Sequence, residues 1–92
     1  MIMSIDIQIP CKSKYTMTAD EVILPGVDGQ IGILSGHAPL VTVLDTGLMR
    51  VKLNEKWTPV ILCGGLAEIK KDKIQVLAND ICLLYTSDAA DE

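Results

Sequence analysis

His37 is the only histidine in the chain, so any general base working near neutral pH would have to be this ring. A Ser/His/Asp constellation would use Ser35 or Thr42 as nucleophile and Asp45 as the acid that orients the imidazole. Ser35 lacks the strained G-x-S-x-G elbow that exposes such a nucleophile, and nothing in the spacing of the four residues converges them. A catalytic His37 is therefore not expected. The surrounding Gly36-His37-Ala38-Pro39 reads as a rigid turn, and two roles remain open for the ring: a hydrogen-bonded turn histidine, or a contact residue on an exposed loop. Asp20 and Glu21 are adjacent carboxylates, but neighbours on a strand face opposite ways and cannot share acid and base work. The glycine-rich stretch from Gly29 to Gly36 lacks both G-x-G-x-x-G and a Lys-Ser or Lys-Thr after its last glycine, so it is not a phosphate loop. Cys11, Cys63 and Cys82 are widely spaced and form no C-x-x-C pair, which leads us to expect reduced thiols and neither a zinc site nor a disulfide framework. No catalytic residue, metal site or cofactor site is expected.

Composition narrows the class further. Ninety-two residues make one small domain with a single core. Hydrophobic residues are 49% of the chain but aromatics only 3%, with no Phe, so Val, Ile and Leu must build that core. A net charge of −4 argues against nucleic-acid binding, which needs clustered cations, and Asp72 interrupts the densest basic run, Lys70-Lys71-Lys73. No run approaches the roughly 18 apolar residues of a membrane-spanning helix, and neither a secretory signal nor an Arg-rich transit peptide is evident at the N-terminus.

The elements that must position these residues are strands. Ser4 to Ile9 alternates polar and apolar until Pro10, Tyr15 to Met17 could pair with it, and Asp20 to Leu24 makes a third strand before Pro25-Gly26. Asp28-Gly29 is a turn dipeptide, followed by short strands at Ile31 to Leu34 and Val41 to Leu44. Thr46-Gly47 is expected to turn the chain into Leu48 to Leu53, whose dry side is Met49, Val51 and Leu53 and whose wet side is Arg50 and Lys52. A polar loop at Asn54-Glu55-Lys56 precedes Trp57 to Cys63. Gly64-Gly65 then separates that strand from Leu66 to Lys70, and Lys73 to Leu77 closes the series. Short strands with turn signals every few residues, and no amphipathic helix before residue 80, predict an all-β sandwich or flattened barrel.

The order of residues is more informative than their chemistry. The run Val22-Ile23-Leu24-Pro25, followed by Asp28-Gly29-Gln30-Ile31-Gly32-Ile33-Leu34-Ser35-Gly36-His37-Ala38-Pro39-Leu40, resembles the signature of the epsilon subunit of F-type proton-translocating ATP synthases. Asp45-Thr46-Gly47-Leu48-Met49-Arg50-Val51 stands where that family has a D-x-G-x-[LM]-R-[VI] strand. Gly64-Gly65-Leu66-Ala67-Glu68-Ile69 and Val76-Leu77-Ala78-Asn79-Asp80 match two later motifs. The resemblance covers residues 3 to 81 and is nearest to cyanobacterial and plastid members.

The resemblance implies a small sandwich of about ten short strands at the foot of a rotating central stalk, a non-catalytic subunit coupling proton flow to ATP synthesis. It implies contact with the gamma subunit and with the membrane-embedded c-ring. The chain would then be peripheral to an energy-coupling membrane, on the stromal face of a thylakoid or the cytoplasmic face of a bacterial membrane. Carried over residue by residue, Gln30 and the turn His37, Ala38 and Pro39 match the c-ring side, and Leu40, Val41, Thr42, Met49 and Arg50 are assigned to the gamma side. The family's C-terminal helical hairpin does not fit in the residues after Asp80, so inhibition of ATP hydrolysis and nucleotide sensing are not carried over. The domain is expected to end at residue 81, with 82–92 a non-native or disordered tail. The alternative is a stand-alone β-sandwich that binds a ligand or peptide. It would need exposed aromatics lining a concave face, and Trp57, Tyr15 and Tyr85 are few and scattered.

Overall fold

The structure, a computed structural model, describes residues 2–10, 14–79 and 81–84, the last four by their backbone alone. Strand β1 (Met3–Gln8) buries Met3, Ile5 and Ile7 as its alternation requires and ends before Pro10, which cannot donate to a ladder. It pairs antiparallel with β2 (Lys14–Ala19) on one side and parallel with β7 (Lys73–Ala78) on the other. β3 (Glu21–Gly26) and β4 (Gly29–Leu34) form a hairpin around Val27-Asp28, where Gly29 takes φ +127°. β5 (Leu40–Leu53) and β6 (Lys56–Lys70) are one long hairpin, closed by Asn54 at φ 53° and Glu55 at φ 66°, the two left-handed residues of a type I′ turn. β8 (Ile81–Leu84) adds to β6. The strand order is β2-β1-β7-β6-β5-β3-β4, and there is no helix among the described residues.

The all-β expectation holds, but the described residues form eight strands where about ten were expected. Thr46-Gly47 and Gly64-Gly65, read as turns, instead lie inside β5 and β6, which stay in one antiparallel register from Leu40↔Ile69 to Leu53↔Lys56. The turn signals mark a corner. In β5 the inward positions pass from Leu44 to Met49, and in β6 from Leu62 to Ala67, so the period-two alternation changes phase at both places. Gly64 at φ +87° and Gly65 at φ +147° let β6 make this change. The hairpin thereby contributes its open-end half to one layer, with β7, β1 and β2, and its closed-end half to the other, with β3, β4 and β8. Between the layers lie Ile5 and Ile7 of β1, Val22 and Leu24 of β3, Ile33 of β4, and Ile74 and Val76 of β7.

β8 runs across the boundary expected at 81/82, since residues 82–84 continue a strand whose Leu84 pairs with Val60 and Leu83 with Ile61. The remainder of the expected tail, 85–92, lies outside the described residues. Cys63 is disulfide-bonded, against the expectation of three reduced thiols. Sequence spacing could not reveal this, since a disulfide depends on proximity in space. Cys11 and the side chain of Cys82 lie outside the described residues.

Candidate functional site

The turn between β4 and β5 crosses from one layer to the other and carries His37. Gly36 takes φ +84°, and His37 N–H donates to the Leu34 carbonyl at 3.1 Å, closing the turn. The ring is half-buried. Its Nδ1 lies 2.7 Å from the Ala38 carbonyl oxygen, which can only accept, so Nδ1 carries the proton there. Of the two roles left open by sequence, the hydrogen-bonded turn histidine is the one present, and the residue keeps part of its surface exposed.

A second turn holds this one in place. Lys71 and Asp72 join β6 to β7, and Asp72 Oδ1 accepts from Ser35 Oγ at 2.6 Å and from Gly36 N–H at 3.2 Å. Gly36 N–H is shared with the Lys71 carbonyl, also at 3.2 Å. Asp72 is itself tied to β1 through its carbonyl, which accepts from Ser4 N–H at 3.0 Å. Between the two turns lies an open notch lined by Gly36, His37, Ala38, Pro39, Lys70 and Lys71.

These bonds dissolve the hydrolase constellation. Ser35 Oγ is engaged with Asp72 and His37 with a backbone carbonyl, so nucleophile and base are not paired. Asp45 accepts from the Thr46 N–H at 2.8 Å at the corner of β5. No group of three or more His, Cys, Asp or Glu among the described residues could hold a metal ion.

The residues carried over from the resemblance fall in several places. His37, Ala38 and Pro39 are together, whereas Gln30 stands at the opposite end of β4, paired with Pro25 beside the Val27-Asp28 turn. The strand itself puts roughly 13 Å between Gln30 and Leu34. β4 is an edge strand, and Gln30, Gly32 and Leu34 are exposed along it, so only a strip running the length of β4 could include both Gln30 and His37.

The gamma-side set does not form one surface. Met49 has no exposed area and belongs to the core, which corrects its assignment as a contact: its inward phase gives it to the interior. Leu40 packs against the core and Thr42 is half-buried, whereas Val41 is exposed on one layer and Arg50 on the other. Sequence reasoning missed the neighbours of Val41. Val43 pairs with Leu66, and Leu66 with Leu77, so three strands carry one outward apolar row. Val43 is 52% exposed, Leu66 39% and Leu77 49%, while Val41 two residues away is 61% exposed. An apolar row on the solvent side of a sheet is a recognised mark of an interaction site. The signal was present in the sequence, but only for a reader who had placed the phase change at Gly64-Gly65. Among the described residues the aromatics do not make a rival site, because Tyr15 lies on β2 in one layer and Trp57 on β6 in the other, the latter with Lys52 Nζ 5.6 Å from its ring centre; Tyr85 lies outside the described residues.

The spaced motifs, the two-layer fold and the turn built on Gly36-His37-Ala38-Pro39 find their counterpart in the family model described as ATP synthase, Delta/Epsilon chain, beta-sandwich domain, which matches residues 2–83. The chain belongs to this family. The ATP synthase epsilon chain of the chloroplast of Phaeodactylum tricornutum is 58% identical over 81 residues, covering 88% of this chain and 61% of that protein. The epsilon chain of Cyanothece is 46% identical over 79 residues, covering 86% of this chain and 57% of that protein. The chain therefore spans about three-fifths of the length of these epsilon chains. A chain in the Euglena gracilis mitochondrial ATP synthase, solved by cryo-EM with OSCP, F1 and the c-ring, shares the fold at a TM-score of 0.75 and 16% identity, over 83% of this chain and 49% of that one. A chain of the Tetrahymena thermophila mitochondrial ATP synthase central stalk and c-ring superposes at 0.68 with 14% identity, over 85% of this chain and 63% of that one. The delta/epsilon fold thus persists where little sequence identity remains.

Proposed function

We propose that this chain acts as a non-catalytic subunit of the rotor stalk of a proton-translocating ATP synthase, joining the gamma subunit to the c-ring. It would help couple proton flow to ATP synthesis, peripheral to a thylakoid or bacterial membrane. The observation that carries the reading is the coexistence of two different outward features on one rigid sandwich. The apolar row of Val43, Leu66 and Leu77 suits a dry protein contact and is assigned to gamma, with Val41 at its margin and Arg50 on the far layer outside it. The clamped turn with His37, Ala38 and Pro39 suits a small, stiff contact and is assigned to the polar loops of the c-ring, with Gln30 reached along β4. Stiffness matters because a contact that is ordered before binding loses less entropy on assembly, and a rotor must transmit torque without yielding.

The relatives named as ATP synthase epsilon chains and the stalk and c-ring setting of the structural neighbours support the same reading. The test is a pull-down of the full chain against purified gamma subunit and, separately, against the c-ring assembled with gamma. Stoichiometric capture by gamma is the expected result. A folded chain that binds neither would overturn the stalk assignment and return the ligand-binding sandwich as the better account.

A further inference from the structure

We infer that Asp72 is a positioning residue for the partner-facing turn at His37, acting through Ser35 and Gly36 without touching the partner itself. The inference rests on the proposed role of that turn. Thirty-six and more residues separate Asp72 from its hydrogen-bond partners, yet one carboxylate oxygen takes both Ser35 Oγ and Gly36 N–H. These two residues sit immediately before His37, so they set where the ring and the following Ala38-Pro39 are held. The carboxylate is anchored in turn, because the Asp72 carbonyl takes the Ser4 N–H of β1, whose buried face belongs to the core. An exposed connection is thereby referenced to the rigid layer that also carries the apolar row.

Two details favour positioning over incidental contact. Lys71 adopts φ 32°, a left-handed conformation that a lysine takes at a cost, and in it the Lys71 carbonyl shares the Gly36 N–H with Asp72. Gly36 at φ +84° has no atom within 4 Å of where a Cβ would stand, so its left-handed conformation and not lack of space is what calls for glycine. One costly left-handed residue, Lys71, and one left-handed glycine, Gly36, therefore face each other across hydrogen bonds of which two go to a carboxylate, an arrangement that fixes one geometry for the turn.

The experiment uses the full chain with Asp72→Ala, Asp72→Asn, Ser35→Ala and His37→Ala, and reads three quantities for each: amide hydrogen exchange at Gly36 and His37, melting temperature, and affinity for a gamma and c-ring assembly lacking its own epsilon chain. Asp72→Ala and Ser35→Ala should each speed exchange at these amides by about three- to tenfold, the size of one ordinary net hydrogen bond at an exposed site. Both should weaken binding several-fold while melting stays within a few degrees of the parent. Asp72→Asn keeps an acceptor at the same place and should recover most of the protection and binding. Unchanged exchange in both Asp72→Ala and Ser35→Ala would overturn the inference. So would faster exchange with full affinity in those variants if His37→Ala still weakens binding. Full affinity in His37→Ala as well would instead defeat the partner-facing reading of the turn, which keeps the two failures distinguishable.

Discussion

Replacing Gly65 by alanine tests the corner on which both outward surfaces depend. A Cβ added at Gly65 would fall 2.2 Å from the Leu77 carbonyl oxygen and 2.9 Å from the Ala78 Cα, distances that real Cβ atoms do not show. Both obstacles are backbone atoms of β7, so no side chain can swing aside to make room. The φ of +147° adds a conformational cost, since an L-residue rarely adopts it. A disfavoured backbone region costs about 1–3 kcal/mol and forced overpacking about 1–3 kcal/mol, so Gly65→Ala should destabilise by roughly 2–6 kcal/mol. A domain of 92 residues is stable by about 5–14 kcal/mol at the usual 0.05–0.15 kcal/mol per residue, which places the variant close to unfolding. Urea titration followed by the fluorescence of Trp57, the only tryptophan, reads the change directly. A midpoint within experimental error of the parent would refute the argument that close backbone approach is why glycine stands there.

Three other perturbations follow from the same geometry. Gly32→Ala adds a methyl group that meets nothing within 4 Å in a strand of ordinary φ, so it should hold or raise stability by up to about 1 kcal/mol in the same titration. A loss of 2 kcal/mol would contradict the exposed placement of β4. Glu55→Gly relieves a left-handed glutamate in the β5–β6 turn and should raise the melting temperature by about 2–6 °C, whereas a fall would mean that the type I′ geometry is not what the chain adopts. His37→Ala removes one turn hydrogen bond and a half-buried ring, so denaturant titration should show a cost near 1 kcal/mol or less, and a loss of several kcal/mol would make His37 a core residue.

Much of this architecture was legible in the sequence because strand chemistry is local. Alternation assigned β1 and the second half of β5 to their correct faces, with Met49 and Val51 buried and Arg50 exposed. Glycine was the ambiguous letter. Thr46-Gly47 and Gly64-Gly65 signal a break in backbone regularity, and the same signal serves a reversal or a corner. Only the pairing of Leu44 with Gly65 and Thr46 with Cys63 across the corner decides between them. The same ambiguity hid the apolar row, since Val43, Leu66 and Leu77 share a face only after the corner is placed. Motif order identified the His37 turn, but the Ser35–Asp72 bond that holds it spans 37 residues and leaves no periodic trace. Met49 illustrates a simpler point: its inward phase, and not its place in a motif, decides that it is buried.

The most direct test of the account is the affinity of the full chain for purified gamma subunit with and without Leu66→Asp. Leu66 lies at the middle of the apolar row and is 39% exposed, so the substitution should change folding stability little. An unpaired carboxylate in a dry contact costs about 2 kcal/mol or more, which predicts a loss of affinity of roughly 30-fold or greater. Tight binding by the parent that falls by this much in a folded Leu66→Asp variant is the predicted result. Equal affinity of the two proteins would contradict the assignment of this face to gamma.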